Sequence, residues 1–198
     1  GDLTEEKIFS DGTLARRWLY NIYSRLPKGY ARFGAVNPIY LAATTDEAQQ
    51  AHLGLLTQAL WFNEGTWNAA NPTDLPGWKY YWTAIRPANK MIENVDKVPV
   101  SIQDGITEES KLQMKTEARM LRAIFYSELL KAYGGVPIIT KQLTQFDPAL
   151  YTPRSTFDET VDFIVKECDD CAKILPPNYL LTSPTDFGRM TSMAAQAL

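Results

Sequence analysis

Apolar residues recur at helical spacing in four stretches of the chain, and each stretch is bounded by residues that start or stop helices. From about Asp11 to Leu26 the recurring positions are Leu14, Trp18, Ile22 and Leu26, and Pro27 with Gly29 ends the run. From about Gly77 to Val95 they are Tyr81, Ile85, Ala88, Ile92 and Val95. Pro87 predicts a kink there, because it lacks an N–H and its ring presses on the carbonyl of Thr83. The strongest periodicity spans Glu108 to Tyr133, with Met114, Ala118, Leu121, Phe125, Leu129 and Ala132 in one stripe and Gly134-Gly135 as the stop. Arg119, Arg122 and Tyr126 lie beside that stripe, which predicts a helix contacted on more than one side. The fourth stretch takes Ser155 or Thr156 as N-cap, carries Asp158 and Glu159 in its first turn, where they favour the helix dipole, and runs to Leu175 before Pro176-Pro177. A fifth helix opens after Gly188 and is expected to be cut by the chain end at Leu198.

Between the helices lie a long loop, about Pro27 to Pro76, and a β-like run, Val136 to Thr140. Loops of that length are usually functional or disordered, and Trp61, Phe62 and Trp67 argue against disorder. Gly77 to Tyr133, and Thr156 to the C-terminus, each read as helix, turn, helix. The expected fold class is therefore mainly α: stacked hairpins of the tetratricopeptide kind with long irregular loops, although no tetratricopeptide consensus repeats in the sequence.

Composition narrows the function. Twenty Lys and Arg against 23 Asp and Glu give a net charge of −3, so there is no broad positive field to hold a nucleic acid. No stretch approaches the roughly 18 apolar residues of a membrane span, and Gly1 to Lys7 is polar and acidic, so any export signal is expected to have been removed or never present. Aromatic residues are 12% of the chain, a class that fills cores and also builds ligand platforms.

Reactive groups are few. Cys168 and Cys171 have CxxC spacing, yet they fall inside the fourth helix and not at the helix N-terminus that activates a redox thiol. The sole histidine, His52, forms no metal spacing with them, so neither metal nor cofactor is expected. Gly134-Gly135 follows a helix, where a phosphate loop precedes one, and no GK[ST] comes after it. No GxSxG or HExxH pattern occurs. Asp158-Glu159 has a capping role, whereas Asp46-Glu47 sits in the long loop without one. Glu117, Arg119 and Arg122 on a largely apolar helix are expected to be ion-paired or hydrogen-bonded to loops, because buried charges are costly unpaired.

At Trp78-Lys-Tyr-Tyr-Trp-Thr-Ala-Ile85, with Ala88-Asn89 and Ile92, the sequence resembles a helix of the SusD/RagB family of glycan-binding outer-membrane lipoproteins. The resemblance continues through Glu117-Ala-Arg-Met-Leu-Arg-Ala123, Tyr126, Leu130 and Tyr133-Gly-Gly-Val-Pro-Ile138. Pro153-Arg-Ser-Thr156 with Ile164, Ala172 and Leu175-Pro176, then Gly188-Arg-Met-Thr191 with Ala194-Ala195, follow in the family's order. The resemblance implies a non-enzymatic protein, lipid-anchored on the outer face of the bacterial outer membrane. It would capture oligosaccharides or glycan fragments and act as a lid over a TonB-dependent, SusC-like transporter barrel. Family chains are much longer, so residues 1–198 are expected to be the N-terminal part of a single SusD-like domain, cut within a helix near 189–198 and beginning after the lipid-accepting cysteine.

A sugar offers flat C–H faces and a rim of hydroxyls, so its site needs exposed Trp or Tyr beside Asn, Asp or Arg. Trp61, Asn63, Trp67 and Asn68 supply that mixture in one short stretch, with Asn71 and Asp74 nearby and Asp46 in the same loop. In the resembled family the loop before the Trp/Tyr helix commonly contributes to the ligand site. The alternative for Trp61 and Trp67 is that they plug the loop onto the helices; Trp78 and Trp82, within the helix pattern, are expected in the core. A helical protein-interaction scaffold and a carbohydrate hydrolase are the competing function classes.

Overall fold

The computed structural model describes residues 4–27, 41–48, 61–68, 70, 77–179 and 186–198. The chain divides into two compact units, one of Gly1–Leu26 with Tyr81–Leu198 and one of Pro27–Tyr80. Among the described residues the architecture is mainly helical and contains no named strand.

The first predicted helix, about Asp11 to Leu26, is α2 (Gly12–Tyr23) in the structure, and a short helix that was not predicted, α1 (Glu5–Phe9), precedes it. α1 is capped by Thr4 and buries Ile8 and Phe9, and α2 starts afresh because the Asp11 side chain accepts a hydrogen bond from Leu14 N at 2.9 Å. α1 lies outside the periodic stretches, because a single turn and a half is too short to show a stripe. On α2 the buried line is Ala15, Leu19 and Ile22, while Trp18 lies partly buried at its margin. A Cβ on Gly12 would fall 2.3 Å from Ile106 Cγ1, so the opening of α2 needs the bare backbone at that contact.

α3 (Trp78–Asn94) continues through Pro87, whose carbonyl accepts from Trp18 Nε1 at 3.0 Å and so ties α3 to α2. α4 (Glu108–Tyr133) has the predicted bounds. Thr107 and Ser110 form a reciprocal capping box at its start, and Gly134, at φ +69°, ends it. α5 (Phe157–Ala172) is capped by Thr156 and Glu159 and stops three residues short of the predicted Leu175, which is nevertheless buried. After Gly188, Thr191 caps α6 (Ser192–Ala197). α4 lies along α5, α5 against α6, and α2 against α4. α3 meets α4 through large rings, Tyr81 on Phe125 with centroids 6.1 Å apart and Trp82 edge-on to Tyr126 at 5.9 Å. Buried residues on almost every side of α4, among them Met114, Met120, Leu121, Phe125 and Leu129, account for its unusually broad stripe.

Among the described residues the predicted β-like run 136–140 pairs with no strand. Val136 O accepts from Ser155 N at 3.3 Å, and side chains reach several of the other backbone groups. Asn89 Nδ2, on α3, donates to the carbonyls of Ile139 at 3.0 Å and Lys141 at 3.1 Å. The Tyr126 hydroxyl, on α4, donates to Ile139 O at 3.1 Å and accepts from Ile139 N at 2.7 Å. Arg122 Nη1 donates to Asn89 Oδ1 at 2.7 Å and to Thr140 O at 3.1 Å, while its Nη2 meets Glu167 Oε2 of α5 at 2.9 Å. Arg119 closes the same carboxylate from the other side, 2.8 Å from Glu167 Oε1. Glu117, fully buried, accepts from the Tyr23 hydroxyl at 2.5 Å and pairs with Arg189, which also meets Asp186 at 2.9 Å and lies over the Tyr179 ring. All three charged residues that the sequence placed on the helix are thus paired.

A Cβ on Gly135 would sit 2.1 Å from Ser155 O, whereas one on Gly134 meets nothing within 4 Å and suffers only its positive φ. Gly135→Ala should therefore destabilise the protein by more than the roughly 1 kcal/mol expected of Gly134→Ala; chemical denaturation of both variants measures the order, and equal losses would contradict it.

Burial pushes the Glu167 carboxyl up, but the Arg119 hydrogen bond and the Arg122 charge outweigh it and hold the group below its usual value of 4.5. A carboxyl with a lower pKa folded than unfolded stabilises above the unfolded value, and that contribution fades as pH falls through the folded one. Stability should drop on acidification below about pH 4.5, and Glu167→Gln should flatten that part of the slope in urea melts. Arg122→Ala should cost about 3 kcal/mol at neutral pH, because it takes from the buried Glu167 carboxylate one of its two arginines and leaves Asn89 Oδ1 and Thr140 O without their donor. An unchanged melt in that variant would remove Arg122 from its structural role.

Candidate functional site

The five residues singled out from the sequence all belong to the second unit. Residues 61–63 are helical, and the chain then reverses at Gly65, at φ +66°, where Thr66 N and Trp67 N both return to Trp61 O at 2.9 and 3.0 Å. That reversal lays the Trp67 ring on Phe62, with centroids 4.9 Å apart and planes 26° from parallel. Trp67 remains 51% exposed, while Trp61 and Phe62 are half-buried. The result is a two-ring stack whose outer member is a flat, solvent-exposed indole.

The polar residues around it are partly committed. Asn63 Nδ2 donates to Ala43 O at 3.1 Å, which joins this turn to the 3-10 turn Leu41–Thr44. That bond links the Asp46 segment to the ring pair, and Asp46 itself is exposed. Asn68 forms a local turn, its Nδ2 donating to Thr66 O at 3.0 Å and its Oδ1 accepting from Ala70 N at 2.8 Å. Asn63 keeps its carbonyl oxygen for hydrogen bonds beyond the one its amide makes to Ala43 O. Asn71, Asp74 and His52 lie outside the described residues.

Phe62 and Gly65 are the members that residue-type reasoning did not single out. Phe62 carries no polar handle and so drew no attention as a sugar contact, yet it is what holds Trp67 flat; Gly65 makes the reversal possible without strain. The expectation for the helix tryptophans divides. Trp82 packs partly buried against the core, but Trp78 is 39% exposed, because the buried line of α3 begins only at Tyr81.

Cys168 and Cys171 are buried on α5, and burial raises both thiols, Cys171 to about 12, so they stay protonated at neutral pH. Cys171 Sγ lies 3.6 Å from Thr116 O, a core contact. Among the described residues no group of three or more His, Cys, Asp or Glu side chains could hold a metal ion, and no helix is long and apolar enough to cross a membrane.

Residues 16–198 match the SusD-like family described as starch-binding and associating with the outer membrane. A SusD-like protein of Formosa agariphila, P38, is 26% identical over 125 residues, which are 63% of this chain and 22% of that protein. A SusD-like protein from Bacteroides fragilis shares the fold with a TM-score of 0.74 at 26% identity, over 98% of this chain and 35% of its own. A laminarin-binding SusD-like protein does so with a TM-score of 0.76 at 22% identity, over 96% of this chain and 39% of its own, a likeness of fold. The chain therefore spans well under half the length of the relatives it matches. Helical architecture, the order of the motifs and a match over nearly the whole chain agree: the protein belongs to the SusD-like family.

Proposed function

We propose that this chain is the N-terminal part of a single SusD-like domain in a non-catalytic protein that captures glycans at the outer surface of the bacterial outer membrane. It delivers them to a TonB-dependent, SusC-like transporter and is held to the membrane by a lipid anchor upstream of residue 1. The observation that carries the glycan reading is the half-exposed Trp67 ring backed by Phe62. A flat indole fixed from behind suits the C–H face of a hexose, and stacking on it needs little reordering of the protein. Asn63, Asn68 and Asp46 supply the polar rim, and Trp61 supports the turn through its carbonyl. The family's description as starch-binding supports the same ligand class. Stacking accepts many hexoses, so the ring pair sets the class of ligand and not the sugar.

The test compares two tryptophans in the full-length protein. Trp67→Ala should weaken binding of the best ligand on a glycan array by about 30-fold, the equivalent of roughly 2 kcal/mol for an aromatic hot spot, with little change in melting temperature. Trp82→Ala should instead lose several kcal/mol of stability by leaving a gap between α3 and Tyr126. Unchanged glycan affinity in folded Trp67→Ala would overturn the platform. Sustained hydrolysis of the bound glycan, abolished by Asp46→Asn or Glu47→Gln, would replace capture with catalysis.

A further inference from the structure

We infer that the site built on Trp67 takes uncharged sugars and rejects glycans that carry carboxylates or sulfates; the inference rests on the glycan reading above. The chain has 20 Lys and Arg, yet none falls from Phe33 to Trp78, a stretch that holds Asp46, Glu47, Glu64 and Asp74. That stretch is most of the second unit, Pro27–Tyr80. The ring pair is therefore set among acids with no matching bases in the sequence on either side of it.

The structure places three of those acids at the turn that carries the rings. Asp46, Glu47 and Glu64 are all exposed. Glu64 stands between Asn63 and Gly65 in the reversal itself, three residues before Trp67, so at most about 11 Å separates their Cα atoms. Asp46 and Glu47 follow Ala43 by three and four residues, and Ala43 O accepts from Asn63 Nδ2 at 3.1 Å, which ties their segment to the same turn. In the first unit Asp170 is flanked by Lys166 and Lys173, whereas no ion pair among the described residues engages Asp46, Glu47 or Glu64.

Unmatched charge acts on whatever lies over the ring. In water a carboxylate ~10 Å from a second negative charge weakens binding about twofold, and several such pairs multiply. At ~10 mM salt the screening length is roughly 30 Å, so all three carboxylates are felt at Trp67; at ~1 M it is roughly 3 Å and the effect vanishes. Hydrogen bonding selects in the same direction. Asp46 and the Asn63 carbonyl oxygen are acceptors, and the Asn63 amide donates to Ala43 O, so this rim calls for donors. The hydroxyls of a neutral hexose donate, while the oxygens of a uronate or a sulfate only accept. Glu47 and Glu64 add field without a contact of their own, and that field acts only against the anionic class.

The experiment titrates the full-length protein by calorimetry with hexasaccharides of glucose, mannose and galactose, and with the matching uronate hexasaccharides, in which C6 is a carboxylate. At ~10 mM salt the neutral probe that binds best should bind at least about tenfold tighter than its own uronate, and at ~1 M salt the gap should close to about twofold. Glu47→Lys/Glu64→Lys should close the gap at low salt, with melting temperature and neutral-probe affinity unchanged. Equal or tighter uronate binding by the wild type overturns the inference, and it leaves the platform standing where Trp67→Ala still weakens the neutral probe; cations brought by the rest of the domain would show themselves in this way. A gap that persists at ~1 M salt or in the lysine variant means selection by shape, and it overturns the inference as well. Neutral-probe binding that ignores Trp67→Ala, or that fails for all three neutral sugars, overturns the platform and the inference together.

Discussion

Val136 to Thr140, which follow α4 in the first unit, pair with no strand among the described residues, and a backbone polar group shielded from water needs a partner. Asn89, Arg122 and Tyr126 act as the missing strand. Asn89 comes from α3 and the other two from α4, so satisfying the run fixes the spacing of those helices. Arg122 is itself a buried charge, and its demand for a carboxylate brings in Glu167 from α5. One backbone requirement thus propagates through three helices. Gly135 has to be glycine for the same reason: the chain crosses the start of α5 so closely that a Cβ would strike Ser155 O.

A second polar knot joins the ends of the first unit. Tyr23 from α2, Glu117 from α4 and Arg189 from the segment before α6 converge, and Met190 N donates to the Tyr23 hydroxyl at 2.8 Å. Burial raises the Tyr23 phenol, with the Glu117 charge adding to the effect, so it remains a donor to that carboxylate at neutral pH. Apolar packing supplies most of the attraction between these elements, but it is tolerant of sliding. Directional charge pairs specify which turn of α4 faces which segment.

The second unit solves a different problem with shorter means. It presents an aromatic ring to water without letting it collapse, using one positive-φ glycine, two returns to the Trp61 carbonyl and a neighbouring phenylalanine. Support from behind and exposure in front make a ring into a platform.

Local chemistry was legible in the sequence. Thr107, Thr156 and Thr191 cap their helices through contacts three residues away, and Gly134 stops α4, so the bounds of α4 and the start of α5 follow from neighbours along the chain. The pairing of Glu117, Arg119 and Arg122 was legible as a necessity, since buried charges require partners, but the partners lie 48 to 72 residues away for Arg119 and Glu117 and no spacing rule names them. The ring-rich stretch 61–68 was legible as a candidate by residue type alone. Only the tertiary structure decided that Phe62 backs Trp67, that Trp78 stands partly outside the core, and that the run 136–140 is laced by side chains. Helix starts and stops are set by contacts within a turn, which the sequence contains; strand partners, charge partners and exposure are set by contacts across the fold, where many residues satisfy the same physical demand and packing selects among them.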